Sequence, residues 1–344
     1  MSSFDASLLI KLFEEQYLMQ VTKLTNMKND HVFLVETERE KYVLKTYEDE
    51  ETLRWQEKFT EQVIERGTKG MIPFVKNIRN TSINRIPNQQ KVFGIMPFIP
   101  GEIIDPSNWK QVKDCIKLLA HFHLKSGGIY GKKQVIPFRS QLLEKWNQRL
   151  QLFVRSLQPF HKAHEHTGVE SMGGIRQAMA RYYEEAIHWA EWTLTHVPKA
   201  YLLFLEEQAQ WERQMAHLDV APHNFLTMKG QYYYLLDYDL ADYAPPLLDV
   251  VQFINRISNE FEWSFDTVEE LIYTYSSIYS LHPMEKKIIP LLLVYPNDLF
   301  REWLGLWKNH GGFHPERVRS YMLSLDQNWE KRRRFVQTCM NRNI

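Results

Sequence analysis

His217-Leu218-Asp219-Val220-Ala221-Pro222-His223-Asn224, followed by Tyr232-Tyr233-Tyr234-Leu235-Leu236-Asp237, is the stretch on which the reading of this chain turns. An Asn stands five residues after an Asp, and a second Asp follows thirteen residues later, at the end of an apolar, strand-like run. Phosphoryl transfer asks for little covalent chemistry from a protein. It needs one carboxylate to accept or orient a hydroxyl proton, and oxygen ligands that hold Mg²⁺ against phosphates. Asp219, Asn224 and Asp237 offer such a set. The plainer alternative is a loop closed by an Asx-turn, with Asp237 simply ending a strand.

Composition narrows the classes. The 344 residues are 44% hydrophobic and 24% charged, enough for two lobes with a sizeable core. Lys+Arg equals Asp+Glu at 42 each, so no global field favours nucleic acid. The apolar run Ile288–Val294 is far short of the ~20 residues a membrane span needs. Asp5 and Lys11 interrupt the N-terminal apolar stretch, unlike a secretory signal. Cys115 and Cys339, far apart and without metal-ligand spacing, read as reduced thiols of an intracellular protein. Glycine is scarce, 14 residues, which counts against a glycine-rich phosphate loop.

Working outward, residues 5–19 read as an amphipathic helix with Leu9, Phe13 and Tyr17 on one face. Strands follow at 20–24, 31–36 and 41–47, the last two joined by Glu38-Arg39-Glu40 as a hairpin. Lys45 lies inside the apolar strand Tyr42–Tyr47, either on a solvated face or as a buried ammonium that reaches nucleotide phosphates. A helix over 49–66 carries the stripe Trp55, Phe59, Val63, and its Glu57 and Glu61 are candidates to pair with Lys45, Glu57 preferred. Residues 71–100 read as two strands leading into the stiff linker Pro97-Phe98-Ile99-Pro100-Gly101.

From Asn108 the pattern is helical nearly to the end. His121 and His123, two apart, do not share a helical face for a metal. His161, His164 and His166 fall in a polar segment that reads as solvated loop. Asp249 opens a helix, where it suits the macrodipole or orders the preceding loop. Lys331-Arg332-Arg333-Arg334 reads as a solvated helix face. Helices around 140–215 and 255–310 would wall an acceptor pocket of mixed charge.

With these pieces placed, the chain resembles the aminoglycoside and choline phosphotransferase branch of the protein-kinase-like superfamily, and within it the kinase-like proteins associated with the coat of bacterial endospores. The resemblance rests on His217-Leu218-Asp219, Asn224, Asp237 and Asp249, and more weakly on Lys45, Met96 to Gly101, and Leu119-Ala120-His121-Phe122-His123. It implies an α+β, two-lobed kinase-like fold, with a sheet-containing lobe at 1–98, a helical lobe at 99–344 and a hinge at 96–101. ATP and Mg²⁺ would lie between them. It makes Asp219 the catalytic base, Asn224 and Asp237 the Mg²⁺ ligands, and Lys45 the contact to the phosphates. Met96, Phe98 and Ile99 would form the adenine site, through the Phe98 carbonyl and Ile99 amide, and His217 would brace the loop. Leu218 stands where the family has glycine, and the first turn, Asn26–His31, has none.

Two functions follow. One is an ATP-dependent phosphotransferase acting on an alcohol of an unidentified acceptor. The other is a catalytically silent, kinase-shaped scaffold of the spore coat. The resemblance implies the mother-cell cytoplasm, assembly into the coat and coat-protein partners, with no nucleic acid and no membrane span.

Overall fold

Apolar residues at helical spacing make Ala6–Tyr17 the first helix (α1), and it lies on the inner face of an antiparallel sheet. The computed structural model describes residues 6–28, 31–132, 134–157, 179, 181–308 and 315–342. The sheet comprises Val21–Lys28 (β1), Val32–Thr37 (β2), Lys41–Tyr47 (β3), Asn84–Arg85 (β4) and Val92–Pro97 (β5), in the order β1-β2-β3-β5-β4. Alternation decides the faces. Phe33, Val35, Tyr42, Leu44, Phe93 and Ile95 point inward to Leu9 and Phe13 of α1, which leaves Lys45 on the opposite face. Only one strand forms between 71 and 90, the two-residue β4. The stretch before it contributes a single bond, Val75 N–H to the Ile95 carbonyl, because Pro73 cannot join a ladder.

Glu50–Glu65 (α2) starts at Asp49, whose carboxylate accepts the Thr52 N–H at 2.7 Å, a cap that stabilises by about 1 kcal/mol. Its Leu53 packs on the outer face of the sheet opposite Gly94, where a Cβ would stand 3.0 Å from the Leu53 side chain. Trp55, Phe59 and Val63 instead join the large core of the helical part. One helix therefore ties the two cores together.

The remainder is mainly helical: Trp109–Ser126 (α3), Gln141–Leu157 (α4), Tyr183–His196 (α5), Lys199–Glu212 (α6), Leu247–Ile257 (α7), Phe265–Ser276 (α8), Pro283–Val294 (α9), Asn297–Trp307 (α10) and Pro315–Asn341 (α11). Two small sheets accompany it, built from strands between α6 and α7 together with one short strand that precedes α3. Glu102–Ile103 (β6), Phe225–Met228 (β8) and Tyr232–Leu235 (β9) pair in one, Met215–Ala216 (β7) and Asp242–Tyr243 (β10) in the other. They frame the loop that carries Asp219.

The basic run departs from its expected role as a solvated face. Arg332 is 1% exposed, donates two hydrogen bonds to Asp298 at 3.0 Å each, and lies over the Trp263 ring. Arg333 binds Glu185, and Lys331 binds Glu262. Arg332 thus packs α11 onto the core, Lys331 and Arg333 pair at its margin, and Arg334 alone stays exposed as expected. Cys115 and Cys339 are free and buried. His161, His164 and His166 lie outside the described residues. Among the described residues, no helix is long and apolar enough to cross a membrane, and no group of three or more His, Cys, Asp or Glu side chains could hold a metal by itself.

Candidate active site

The loop from Ala216 to Asn224 is strapped from below by one carboxylate. Asp249, wholly buried in the first turn of α7, accepts the His217 N–H at 2.6 Å and the Leu218 N–H at 2.8 Å. His123 of α3 donates to it from Nε2 at 2.9 Å and takes the Tyr275 hydroxyl at Nδ1. Gln252, one turn along α7, accepts the Val220 N–H at 2.6 Å. The structure thus assigns Asp249 the ordering of this loop. His123, dismissed as a metal ligand from its spacing, is the residue that fixes Asp249.

His217 braces the loop from the other side. Its Nε2–H donates to the Leu236 carbonyl at 2.7 Å, and its Nδ1 accepts the Asp219 N–H at 3.3 Å. Asn224, buried at the end of a 3-10 turn over Pro222–Asn224, donates from Nδ2 to the Asp219 carbonyl at 2.8 Å. Its backbone carbonyl accepts the Leu236 N–H. These bonds hold Asp219, Asn224 and Asp237 in one place although 18 residues separate the first from the last in sequence. Asn224's amide oxygen is left free of the Asp219 contact, which its nitrogen makes.

Asp237 follows β9 in a left-handed conformation, φ 62°. Tyr238 anchors it: the ring packs against Phe59 of α2, Phe122 of α3 and His217, and the hydroxyl donates to the Leu235 carbonyl at 2.7 Å. Across the cleft, the Lys45 ammonium lies 2.8 Å from Asp237 and 2.7 Å from Asp239. Lys28, at the end of β1, stands 3.8 Å from the other Asp237 oxygen. Burial would raise the Asp237 carboxyl. The Lys45 charge and hydrogen bond, helped by Lys28 and His217, outweigh it and hold the group below the usual carboxylate range.

Lys45 pairs with Asp237 and Asp239, and among the described residues no ion pair joins it to Glu57. Glu61 is taken by Lys76 at 2.9 Å, and the α2 side chain that reaches the cleft is Gln56. Gln56 donates to Asp239 at 2.8 Å and accepts the Tyr47 hydroxyl at 3.0 Å, so α2 orients Lys45 through Asp239. Gln56, Tyr238 and Lys28 are site residues that sequence reasoning missed, and Asp239, legible only as part of an acidic cluster after Asp237, is the second partner of Lys45.

The linker after β5 runs close to the small sheet. A Cβ on Gly101 would stand 2.9 Å from the Thr227 carbonyl, so only glycine permits this approach. The Phe98 N–H is spent on the Lys41 carbonyl at 2.9 Å. Met96, Phe98 and Ile99 are all partly exposed along the cleft edge. A cavity of about 420 Å³ adjoins Asp219 on the side away from the small lobe, walled by α4, α6, α7, α9 and α10.

A family model described as "Phosphotransferase enzyme family" (APH) matches residues 22–283. The chain belongs to the APH phosphotransferase family. No curated protein matches it. Among solved structures, the APH-family chain is similar to an aminoglycoside phosphotransferase from Alicyclobacillus acidocaldarius, with TM-score 0.76 and 16% identity over 96% of this chain and 94% of that one. It is also similar to the spectinomycin phosphotransferase APH(9)-Ia in complex with ADP and spectinomycin, with TM-score 0.59 and 15% identity over 100% of both chains. An amicoumacin kinase in complex with AMP-PNP and Ca²⁺ gives TM-score 0.60 and 12% identity over 98% and 94%. At these identities the likeness is one of fold: a kinase-like phosphotransferase fold, α+β, with an N-terminal antiparallel sheet.

Proposed function

We propose that this APH-family protein transfers the γ-phosphoryl group of ATP to a hydroxyl of a small molecule. The observation that carries the reading is the convergence of Asp219, Asn224 and Asp237 on one strapped loop, with the Lys45 ammonium 2.8 Å from Asp237. In the reaction the acceptor oxygen bonds to the γ-phosphorus as the bond to ADP breaks, and the hydroxyl proton passes to Asp219.

The donor set fits Mg²⁺. This ion takes one or two protein oxygens and completes its shell with phosphates and water, so the lack of a three-carboxylate cluster among the described residues is no obstacle. Asp237 and the Asn224 amide oxygen would hold it, and it would neutralise charge on the phosphates. Lys45 and Lys28 would face those phosphates, Lys28 supplying from the first hairpin a charge where a glycine loop is lacking. The Phe98 carbonyl and Ile99 amide, beside Met96, would take adenine, with the lobes dividing at 1–98 and 99–344. The sequence resemblance further supports the mother-cell cytoplasm and the endospore coat as its setting, with coat proteins as partners.

Calorimetry tests the enzyme reading. Wild-type protein is expected to bind ATP only weakly without Mg²⁺ and more tightly with it, Asp237→Ala losing the difference. Asp219→Asn is expected to keep nucleotide binding and lose turnover by roughly 10²–10⁴-fold. Failure of the wild type to bind ATP at millimolar concentration would leave the coat-scaffold reading in its place. Fractionation of sporulating cells tests the setting: recovery outside the coat fraction would remove it.

A further inference from the structure

Three guanidinium groups converge on the cavity beside Asp219: Arg149 from α4, Arg256 from α7 and Arg301 from α10. The carboxylates that share the cavity wall are mostly committed elsewhere. Glu206 faces the start of α4, accepting the Ser140 hydroxyl at 2.7 Å and the Gln141 and Leu142 amides. Asp249 is consumed by the loop backbone and His123. Asp298 is chelated by Arg332 and by the Tyr321 hydroxyl at 2.7 Å. Asp219, the base, is the acid left facing the space among the described residues.

Two of these arginines, Arg149 and Arg256, lack an ion-pair partner among the described residues, and the third shares one. Among the described residues, Arg149 hydrogen-bonds only the neutral amide of Asn297, and Arg256 has no carboxylate within ion-pair distance. Arg301 shares Glu302 with Arg317, and its buried Nε has no acceptor. Burial, with Arg301 adding repulsion, lowers both Arg149 and Arg256, the latter to about 10 even against the longer-range pull of Asp219, Asp298 and Glu302, so both stay charged at neutral pH. Desolvated like charges held together are costly unless an anion joins them. Planar guanidiniums suit the paired oxygens of a carboxylate or phosphate. Arg301 and Asn297 also lie beyond the stretch matched by the family model, so this wall is built by the chain's own C-terminal helices.

We propose that the acceptor is a hydroxylated oxyanion: its carboxylate or phosphate sits among Arg149, Arg256 and Arg301 and presents a hydroxyl to Asp219. This rests on the phosphotransferase reading above. An aminoglycoside, being a polycation, meets like charge in this cavity.

The test is calorimetric and needs no turnover. Wild type, Arg149→Gln and Arg256→Gln, each checked for an unchanged circular-dichroism spectrum, are titrated with D-gluconate, glycerol 3-phosphate, sorbitol, glycerol and kanamycin. Titrations are run with ADP and Mg²⁺ saturating and again without nucleotide. At least one anion is expected to bind roughly tenfold or more tighter than its neutral counterpart, and each arginine variant to lose roughly that factor while ADP affinity is unchanged. Gluconate alone binding assigns a carboxylate, glycerol 3-phosphate alone a phosphate. Anions binding no better than sorbitol and glycerol, kanamycin binding best, or variants that weaken ADP and not the anion would each overturn the assignment. Failure of ADP to bind sinks the phosphotransferase reading separately, because the nucleotide-free titrations still report on the anion site.

Discussion

Arg332–Asp298 and Lys45–Asp237 are both cation–carboxylate pairs, yet they are built for opposite ends. The first is closed: side-chain exposures are 1% and 14%, two hydrogen bonds run in parallel at 3.0 Å, and Tyr321 takes up remaining capacity. The second is open. Its side chains are 14% and 30% exposed, the lysine is divided between Asp237 and Asp239, and Lys28 waits at 3.8 Å. A closed pair fixes structure because neither partner has an alternative. An open pair sits where a ligand can exchange for either partner at little cost.

The largest effect should come from breaking the closed pair. Arg332→Met leaves Asp298 buried without its counter-charge, and the expected loss is about 3–5 kcal/mol of unfolding free energy, read by urea denaturation. A loss under about 1 kcal/mol would mean that water reaches Asp298 and the pair is not closed. Acid should sharpen the same point. Burial raises the Asp298 carboxyl, but Arg332, its hydrogen bonds and Tyr321 hold it below the ordinary range. A depressed folded value contributes stability above the unfolded pKa of about 3.9, and loses it as pH falls toward the folded value. Melting temperature should therefore fall less steeply with acid in Asp298→Asn than in wild type below about pH 4, whatever the starting stability.

The open pair should respond the other way. Lys45→Met is expected to change stability by no more than about 1 kcal/mol, since both partners are partly solvated. Affinity for Mg²⁺–ATP should nevertheless drop roughly tenfold, as expected for one lost charge-assisted contact. Calorimetry and denaturation on the same preparation check both halves. A stability loss as large as that of Arg332→Met would erase the distinction between the pairs.

The difference also shows what sequence could convey. The spacing of Asp219, Asn224 and Asp237, the lysine in an apolar strand and the linker rich in proline were legible because each is local. Gln56 was not. It neighbours the apolar stripe residue Trp55 as Glu57 does not, but which residue beside a stripe faces a cleft depends on Tyr47 and Asp239, the latter 183 residues away. Tyr238 was hidden likewise, because its ring is placed by α2 and α3. For Arg332 a signal existed: Leu325, Trp329, Arg332, Val336 and Cys339 all lie on the buried face of α11. An arginine on such a stripe needs a buried carboxylate, and reading the run of four cations as a unit concealed it.

The smallest effect probes the loop that links the two regimes. Leu218 holds φ 63°, where a side chain costs about 1–2 kcal/mol, and the sequence resemblance implies glycine at this position. Its N–H must point at Asp249, 2.8 Å away, so the loop cannot relax without giving up that strap. Leu218→Gly removes the steric cost but adds about 0.5–1 kcal/mol of unfolded-chain entropy, so a net gain of a few tenths of a kcal/mol is expected. Leu218→Val, branched at Cβ, should lose stability in the same conformation. If glycine instead lost more than about 1 kcal/mol, packing of the leucine on the cavity wall would outweigh the strain. Leu218 would then be held in place as part of the cavity wall beside Asp219, and the strap on Asp249 would be what lets the loop carry it.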